Sequence, residues 1–181
     1  NLTVITYLQK SANIRVIPYA PVALIGIPIA CARVPEDFLS IPHEVGHYIF
    51  WRNKEIRSEL GILPLSNAES KSVSSQGEGQ NVNEYRTLSL LPYLKETRKY
   101  EGWVEEIFAD VYAGWIAGPA VALSCQDARL TDSFEKFFKG DAEHPPSTIR
   151  PHVYDKILAH RGLSAYAVAL DKRWVDLRRK R

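Results

Sequence analysis

The chain has 181 residues and a mass of 20.5 kDa, which is enough for one compact domain and too little for two ordinary ones. With 45% hydrophobic and 24% charged residues, it has the composition of a folded globular protein, not that of a disordered, collagenous or coiled-coil chain. The net charge of +2 provides no overall field toward nucleic acid or an anionic membrane. We predict a single domain over residues 1–181.

Neither the start of the chain nor its cysteines identify a cellular compartment. The sequence begins at Asn1 and contains no methionine, so we expect a segment excised from a longer protein, with further domains in the parent. Cys31 and Cys125 match no metal knuckle or redox pair, and their spacing allows either one disulfide or two free thiols. The localisation stays open.

The first predicted elements are strands. The longest uncharged run covers residues 16–32 and is interrupted by three prolines, which argues against a membrane-spanning helix. Its Val and Ile content predicts strands over residues 15–19 and 23–30. Residues 22–31 form a candidate edge strand for an extended peptide substrate, and a fully buried strand without that role is an equal alternative.

Helices dominate the rest of the chain, so the predicted fold class is α+β, with a small strand region followed by a mostly helical body. Ser40 and Ser147 are candidate N-caps, and Gly61, Gly118 and Gly162 are candidate helix ends. Residues 66–83 are rich in Ser, Gly and Asn and predict an exposed, flexible loop. The predicted helices cover residues 41–60, 102–117, 148–161 and 164–179.

A metal-binding motif lies in the first predicted helix. His43, Glu44 and His47 belong to the pattern H-E-x-x-H. A spacing of four residues puts both imidazoles on one helix face, where they can bind a single ion, and the glutamate is available as a general base. Catalytic zinc sites use three protein ligands and leave the fourth position to water, so a further ligand is expected elsewhere.

The second predicted helix offers that ligand. Glu106 and Asp110 are four residues apart on a largely apolar helix, where burial of two acids is costly unless they meet a cation or hydrogen-bond donors. We predict that Glu106 binds the metal and that Asp110 accepts a hydrogen bond from the far nitrogen of His43 or His47. Glu105 is the alternative ligand, and exposure of both Glu105 and Glu106 to water is the competing interpretation.

Three motifs in order resemble the signatures of gluzincin metallopeptidases, in particular the HtpX and CAAX prenyl protease family. They are H-E-V-G-H at 43–47, E-I-F-A-D at 106–110 and H-P-P-S-T-I-R at 144–150. The resemblance implies a zincin-like fold with an active-site helix and a glutamate helix, and Zn²⁺ as the cofactor. It also implies that His144 and Arg150 lie near the scissile carbonyl. The membrane helices of that family have no counterpart in this sequence.

The residues of the third motif allow a second interpretation. Pro145 and Pro146 restrict the chain before the third helix, so His144 is held with little freedom. Arg150 lies in a first helical turn, where a cation gains nothing from the helix dipole, so we expect an acidic or carbonyl partner outside that helix. An arginine that fastens the loop by pairing with Asp141 or Glu143 is the alternative.

The sequence therefore predicts a zinc metallopeptidase that hydrolyses peptide bonds with a metal-activated water and Glu44 as general base. Its partner would be a peptide or protein substrate, with no nucleic acid and no transmembrane segment. One alternative is a zinc-stabilised interaction domain that is catalytically inactive or latent. Another is a nucleic-acid or membrane-surface module that uses the basic residues within 172–181.

Overall fold

The computed structural model describes residues 3–9, 15–17, 22–62 and 82–180. Within these ranges the chain forms three strands, two short 3-10 helices and seven α-helices. The predicted loop at 66–83 lies outside the described residues up to position 81, and Val82 and Asn83 are the first residues of a long helix. The elements are β1 (Val4–Gln9), β2 (Arg15–Ile17), β3 (Ala23–Pro28), the 3-10 helices Ile29–Arg33 and Pro35–Ser40, α1 (Ile41–Arg52), α2 (Lys54–Glu59), α3 (Val82–Ala117), α4 (Pro119–Arg129), α5 (Phe134–Lys139), α6 (Arg150–His160) and α7 (Ser164–Arg179).

The strands form one small mixed sheet in the order β1-β3-β2. β3 runs parallel to β1, with Val4 opposite Ala23, and antiparallel to β2. The prediction that residues 22–31 form an edge strand is therefore wrong, because β3 is hydrogen-bonded on both sides. Every residue of β3 except Leu24 is buried, so the strand is covered on both faces, as expected for a central strand. β1 was missed by the sequence analysis.

The predicted helices lie where the structure has helices, but most of their ends differ. α7 has the predicted bounds, and α3 ends at Ala117 before Gly118, as predicted, but begins at Val82. The first predicted helix is broken at Asn53, whose Oδ1 accepts hydrogen bonds from two backbone amides and so caps α2. α4 and α5 were not predicted.

Neither predicted serine cap forms. The Ser40 hydroxyl donates to the carbonyl of Asp37 at 2.6 Å instead of accepting from the start of α1. The Ser147 hydroxyl donates to Oδ2 of Asp132 at 2.5 Å, and α6 begins only at Arg150. Both hydroxyls are used by tertiary or turn contacts, which compete with capping.

Two apolar clusters hold these elements together. In the first, Ile25 and Ile27 of β3 pack against Val45 of α1, so the sheet supports one side of that helix. The second joins α3, α4, α6 and α7 through the buried residues Ala113, Val121, Ala122, Cys125, Tyr154, Leu158, Ala167 and Leu170. The coarse α+β class is thus confirmed, and Cys31 and Cys125 are both free thiols.

Among the described residues, no helix is both long enough and apolar enough to cross a membrane.

A glycine sets the distance between the two helices that carry the H-E-x-x-H and E-x-x-x-D motifs. A Cβ atom placed on Gly46 of α1 would lie 2.7 Å from Cα of Ala109 on α3. Ala109 is itself fully buried, so neither helix can yield easily. The small pair Gly46–Ala109 therefore permits the close approach that brings His43, His47 and Glu106 together.

Replacement of Gly46 by alanine tests this packing. Alanine is the better helix former by about 1 kcal/mol, so Gly46→Ala on an unconstrained helix would stabilise the protein. Here we expect the free energy of unfolding to fall by about 1–3 kcal/mol because the added methyl overpacks the contact with α3. Urea denaturation measures it, and a rise in stability would contradict the proposed contact.

Candidate metal site

Three side chains from two helices converge on one point. The Nε2 atoms of His43 and His47, one turn apart on α1, are 3.1 Å from each other. Glu106 of α3 places Oε2 3.5 Å from Nε2 of His43 and Oε1 3.5 Å from Nε2 of His47. The predicted ligands therefore lie within reach of one another, with ligand atoms mutually inside 4.8 Å.

These spacings fit a tetrahedral metal ion. Nitrogen and oxygen ligands at about 2.0–2.1 Å from zinc in a tetrahedron are about 3.3–3.4 Å apart. The nearest atoms of these three side chains have similar separations, and the two contacts of Glu106 use different carboxylate oxygens. Glu106 is 8% exposed, and within the described part of the chain its Oε2 has no hydrogen bond of normal geometry. Two imidazole nitrogens and a carboxylate also form a donor set that zinc accepts. The residues present thus fit the ion that the motifs predict.

Acidic groups stand behind both imidazoles. Nδ1 of His43 is 3.0 Å from Oδ1 of Asp110, the acid predicted to accept from one of the two histidines, although within the described ranges this contact lacks hydrogen-bond geometry. Nδ1 of His47 forms a 2.8 Å hydrogen bond with Oε1 of Glu105. A proton on each Nδ1 leaves each Nε2 with its lone pair directed at the ion site.

Glu105 has a role that the sequence analysis missed. Its Oε1 also accepts a 2.8 Å hydrogen bond from Nε1 of Trp51. His47 and Trp51 are four residues apart and so share one face of α1, which is the signal that both could reach the same acid on a neighbouring helix. Glu105 therefore orients His47 while Glu106 faces the ion site.

A buried ion-pair network holds the glutamate helix to α6. Arg150 is 3% exposed and donates from Nε and Nη2 to the two oxygens of Asp110, both at 2.7 Å. Its Nη1 lies 3.1 Å from Oε2 of Glu106. The acidic partner expected for Arg150 is therefore present, but it comes from α3 and not from Asp141 or Glu143. Tyr154, one turn along α6, donates a 2.8 Å hydrogen bond to Oδ1 of Asp110 and was not found from the sequence.

The network makes the site selective for positive charge. Burial raises the pKa of Glu106, but the polar contact with His43 and the charge of Arg150 outweigh burial and lower that pKa to about 2. Burial lowers the pKa of His43, but contacts with Asp110 and Glu106 raise it to about 9. A metal ion at this point would therefore compete with the proton on His43, and its binding would release that proton.

The charged side chains around the candidate site also favour a cation there. With neutral histidines, the three carboxylates of Glu105, Glu106 and Asp110 and the one guanidinium of Arg150 leave a net charge of −2. All four groups are buried or largely buried, so water screens this charge poorly. A divalent cation would balance it.

His144 reaches the edge of the site from the turn before α6. Asp141 accepts hydrogen bonds from the backbone amides of Glu143 and His144 at 2.8 and 2.6 Å, and its carboxylate also lies 3.0 Å from Nδ1 of His144. Nε2 of His144 then points to the site, 3.5 Å from Oε1 of Glu106. Its side chain is 31% exposed, and it does not belong to the group of three mutually close ligands.

Glu44 lies in the first turn of α1, three residues before His47, and is half-buried. A separation of three residues places these two side chains on neighbouring parts of one helix face. The structure therefore brings His43, His47 and Glu106 together and pairs Arg150 with the acids Glu106 and Asp110.

Comparison of the chain with protein-family models, with curated proteins and with solved structures finds no match in any of the three.

A double-mutant cycle tests the Arg150–Asp110 pair. Arg150→Ala and Asp110→Ala should each lower the free energy of unfolding by about 3–5 kcal/mol, because each leaves a buried charge without its partner. The double variant should lose less than the sum of the single losses, by about 1–3 kcal/mol. Urea denaturation in EDTA separates this effect from metal binding.

The matched control is the ion pair between Arg173 and Asp127, whose side chains are 34% and 56% exposed. Its cycle should give a coupling of about 0–1 kcal/mol. Equal coupling energies for the two pairs would show that the Arg150 network is not a buried structural brace.

Proposed function

We propose that the chain is a zinc-dependent metalloendopeptidase of the gluzincin kind, with a zincin-like active-site helix in α1 and a glutamate helix in α3. The observation that carries the proposal is the convergence of His43, His47 and Glu106 at tetrahedral spacing. In this proposal solvent takes the fourth position of the ion, and His144 lies outside the group of three mutually close ligands among the described residues.

A bound zinc ion would supply Lewis acidity, which lowers the pKa of water to about 7 and polarises a peptide carbonyl. Glu44 takes a proton from the attacking water and later passes it to the leaving amine. Both transfers need a base on the same face as the ligands, which is where the first turn of α1 carries Glu44. The acids behind the histidines hold each Nε2 as a lone-pair donor.

In this proposal His144 stabilises the negative oxygen of the tetrahedral intermediate. Its Nδ1 lies against the Asp141 carboxylate, which orients the ring so that Nε2 faces the site and donates to that oxygen. Arg150 is paired with Asp110 and Glu106, so in this proposal it positions the ligand carboxylate instead of contacting the carbonyl. That assignment differs from the role that the family resemblance implies for Arg150.

Metal content and cleavage of an unfolded protein, measured on the same preparations, test the proposal. We expect Glu44→Gln to keep its zinc and to lose cleavage by at least about 100-fold, because the proton acceptor is removed while the ligands remain. Glu59→Gln, at an exposed position of α2, is the control and should cleave normally. Unchanged cleavage by Glu44→Gln would contradict the mechanism.

The same preparations identify the ligand carboxylate. Glu106→Gln should lose one equivalent of zinc relative to wild type, and Glu105→Gln should retain it, because Glu105 contacts His47 and Trp51 from behind. The reverse order would show that Glu105 is the ligand. Zinc retained by a wild-type chain that cleaves nothing would favour the inactive or latent interaction domain.

The role of His144 has its own test. His144→Ala should lower kcat by about 100-fold with zinc content unchanged, since removal of an oxyanion donor acts on the transition state. His160→Ala, at an exposed position near the end of α6, is the matched control. An unchanged kcat, or loss of zinc from His144→Ala, would contradict the assigned role.

A further inference from the structure

A second group of potential metal ligands joins α6 to α7 and shares no residue with the first. Nδ1 of His152 lies 3.2 Å from Oδ1 of Asp171 on α7 and 3.6 Å from Oδ2 of Asp155, three residues farther along α6. One ligand atom from each of the three lies within 4.8 Å of the other two. This spacing is again that of atoms around a common ion.

Asp155 distinguishes this group from an ordinary surface cluster. The residue is only 9% exposed, and both of its carboxylate oxygens are buried. Within the described ranges neither oxygen has a hydrogen-bond partner, although Oδ2 faces His152. A buried carboxylate normally receives hydrogen bonds or binds a cation, so this side chain lacks a partner that its burial requires.

The other two candidate ligands, His152 and Asp171, leave this second group open to solvent. The side chains of His152 and Asp171 are 39% and 52% exposed, so an ion can enter from solvent and keep water in its remaining positions. With a neutral imidazole, Asp155 and Asp171 contribute a charge of −2 at this point. One imidazole with two carboxylates favours a divalent transition ion such as Zn²⁺ over Mg²⁺, which prefers oxygen ligands only.

We propose that His152, Asp155 and Asp171 form a second, surface-accessible site for a divalent transition-metal ion that fastens α6 to α7. α6 also carries Arg150 and Tyr154, which hold Asp110 in place. An ion at this point would therefore brace the helix that supports the first site. The inference does not depend on peptidase activity, because it concerns different ligands.

Calorimetric titration of the metal-free chain with Zn²⁺ tests this site. The wild type should bind two equivalents. Asp171→Asn and Asp155→Asn should each weaken one of them by at least about tenfold, and Glu106→Gln should remove the other. Asp171 is half-exposed and Asp155→Asn preserves side-chain shape, so both variants are expected to fold, and circular dichroism checks that they do.

Asp176→Asn is the matched control, since Asp176 lies on the same helix and its side chain is 54% exposed. It should bind two equivalents with unchanged affinity. Two unchanged binding steps in Asp171→Asn and Asp155→Asn, or a single step in the wild type that only Glu106→Gln removes, would overturn the proposal. Mg²⁺ binding at Asp171 as tight as that of Zn²⁺ would overturn the assigned class of ion.

Discussion

The ion-pair network of Arg150 with Asp110 and Glu106 organises the candidate site. A buried guanidinium that meets two carboxylates one helical turn apart fixes the face of α3 that is turned toward α1. Such a network contributes little net stability compared with apolar packing, but loss of one member leaves a buried charge. Its main effect is geometric, because Glu106 is held with one oxygen near Arg150 and the other near His47.

The same network leaves the candidate site with more negative than positive charge. Glu106 and Asp110 remain ionised although they are buried, since nearby positive groups lower the pKa of each. Arg150 offsets only part of their negative charge. The imidazoles of His43 and His47 contact the same two carboxylates from α1. The close contact of Gly46 with Ala109 keeps α1 near enough to α3 for those imidazoles to reach the carboxylates. Packing, electrostatics and the ligand geometry therefore support one another.

Local patterns in the sequence predicted α7 completely, the end of α3 and the two strands near positions 15 and 23. They also indicated His43, His47 and Glu106 as a group, because fixed spacings on helices determine which side chains share a face. The pairing order of the sheet, the break at Asn53 and the partners of Arg150 depend on contacts between distant segments. Tyr154 and the contacts of Glu105 with His47 and Trp51 were missed for the same reason, since no motif spacing identifies them.

We propose that one ion binds to His43, His47 and Glu106, with solvent in its fourth position. Anomalous diffraction from a zinc-soaked crystal locates such an ion. We expect a peak about 2.0–2.1 Å from Nε2 of His43, Nε2 of His47 and one oxygen of Glu106, with solvent as the remaining ligand. A crystal without a peak at that point, or with a fourth protein atom bound to the ion, would contradict the proposed metal site.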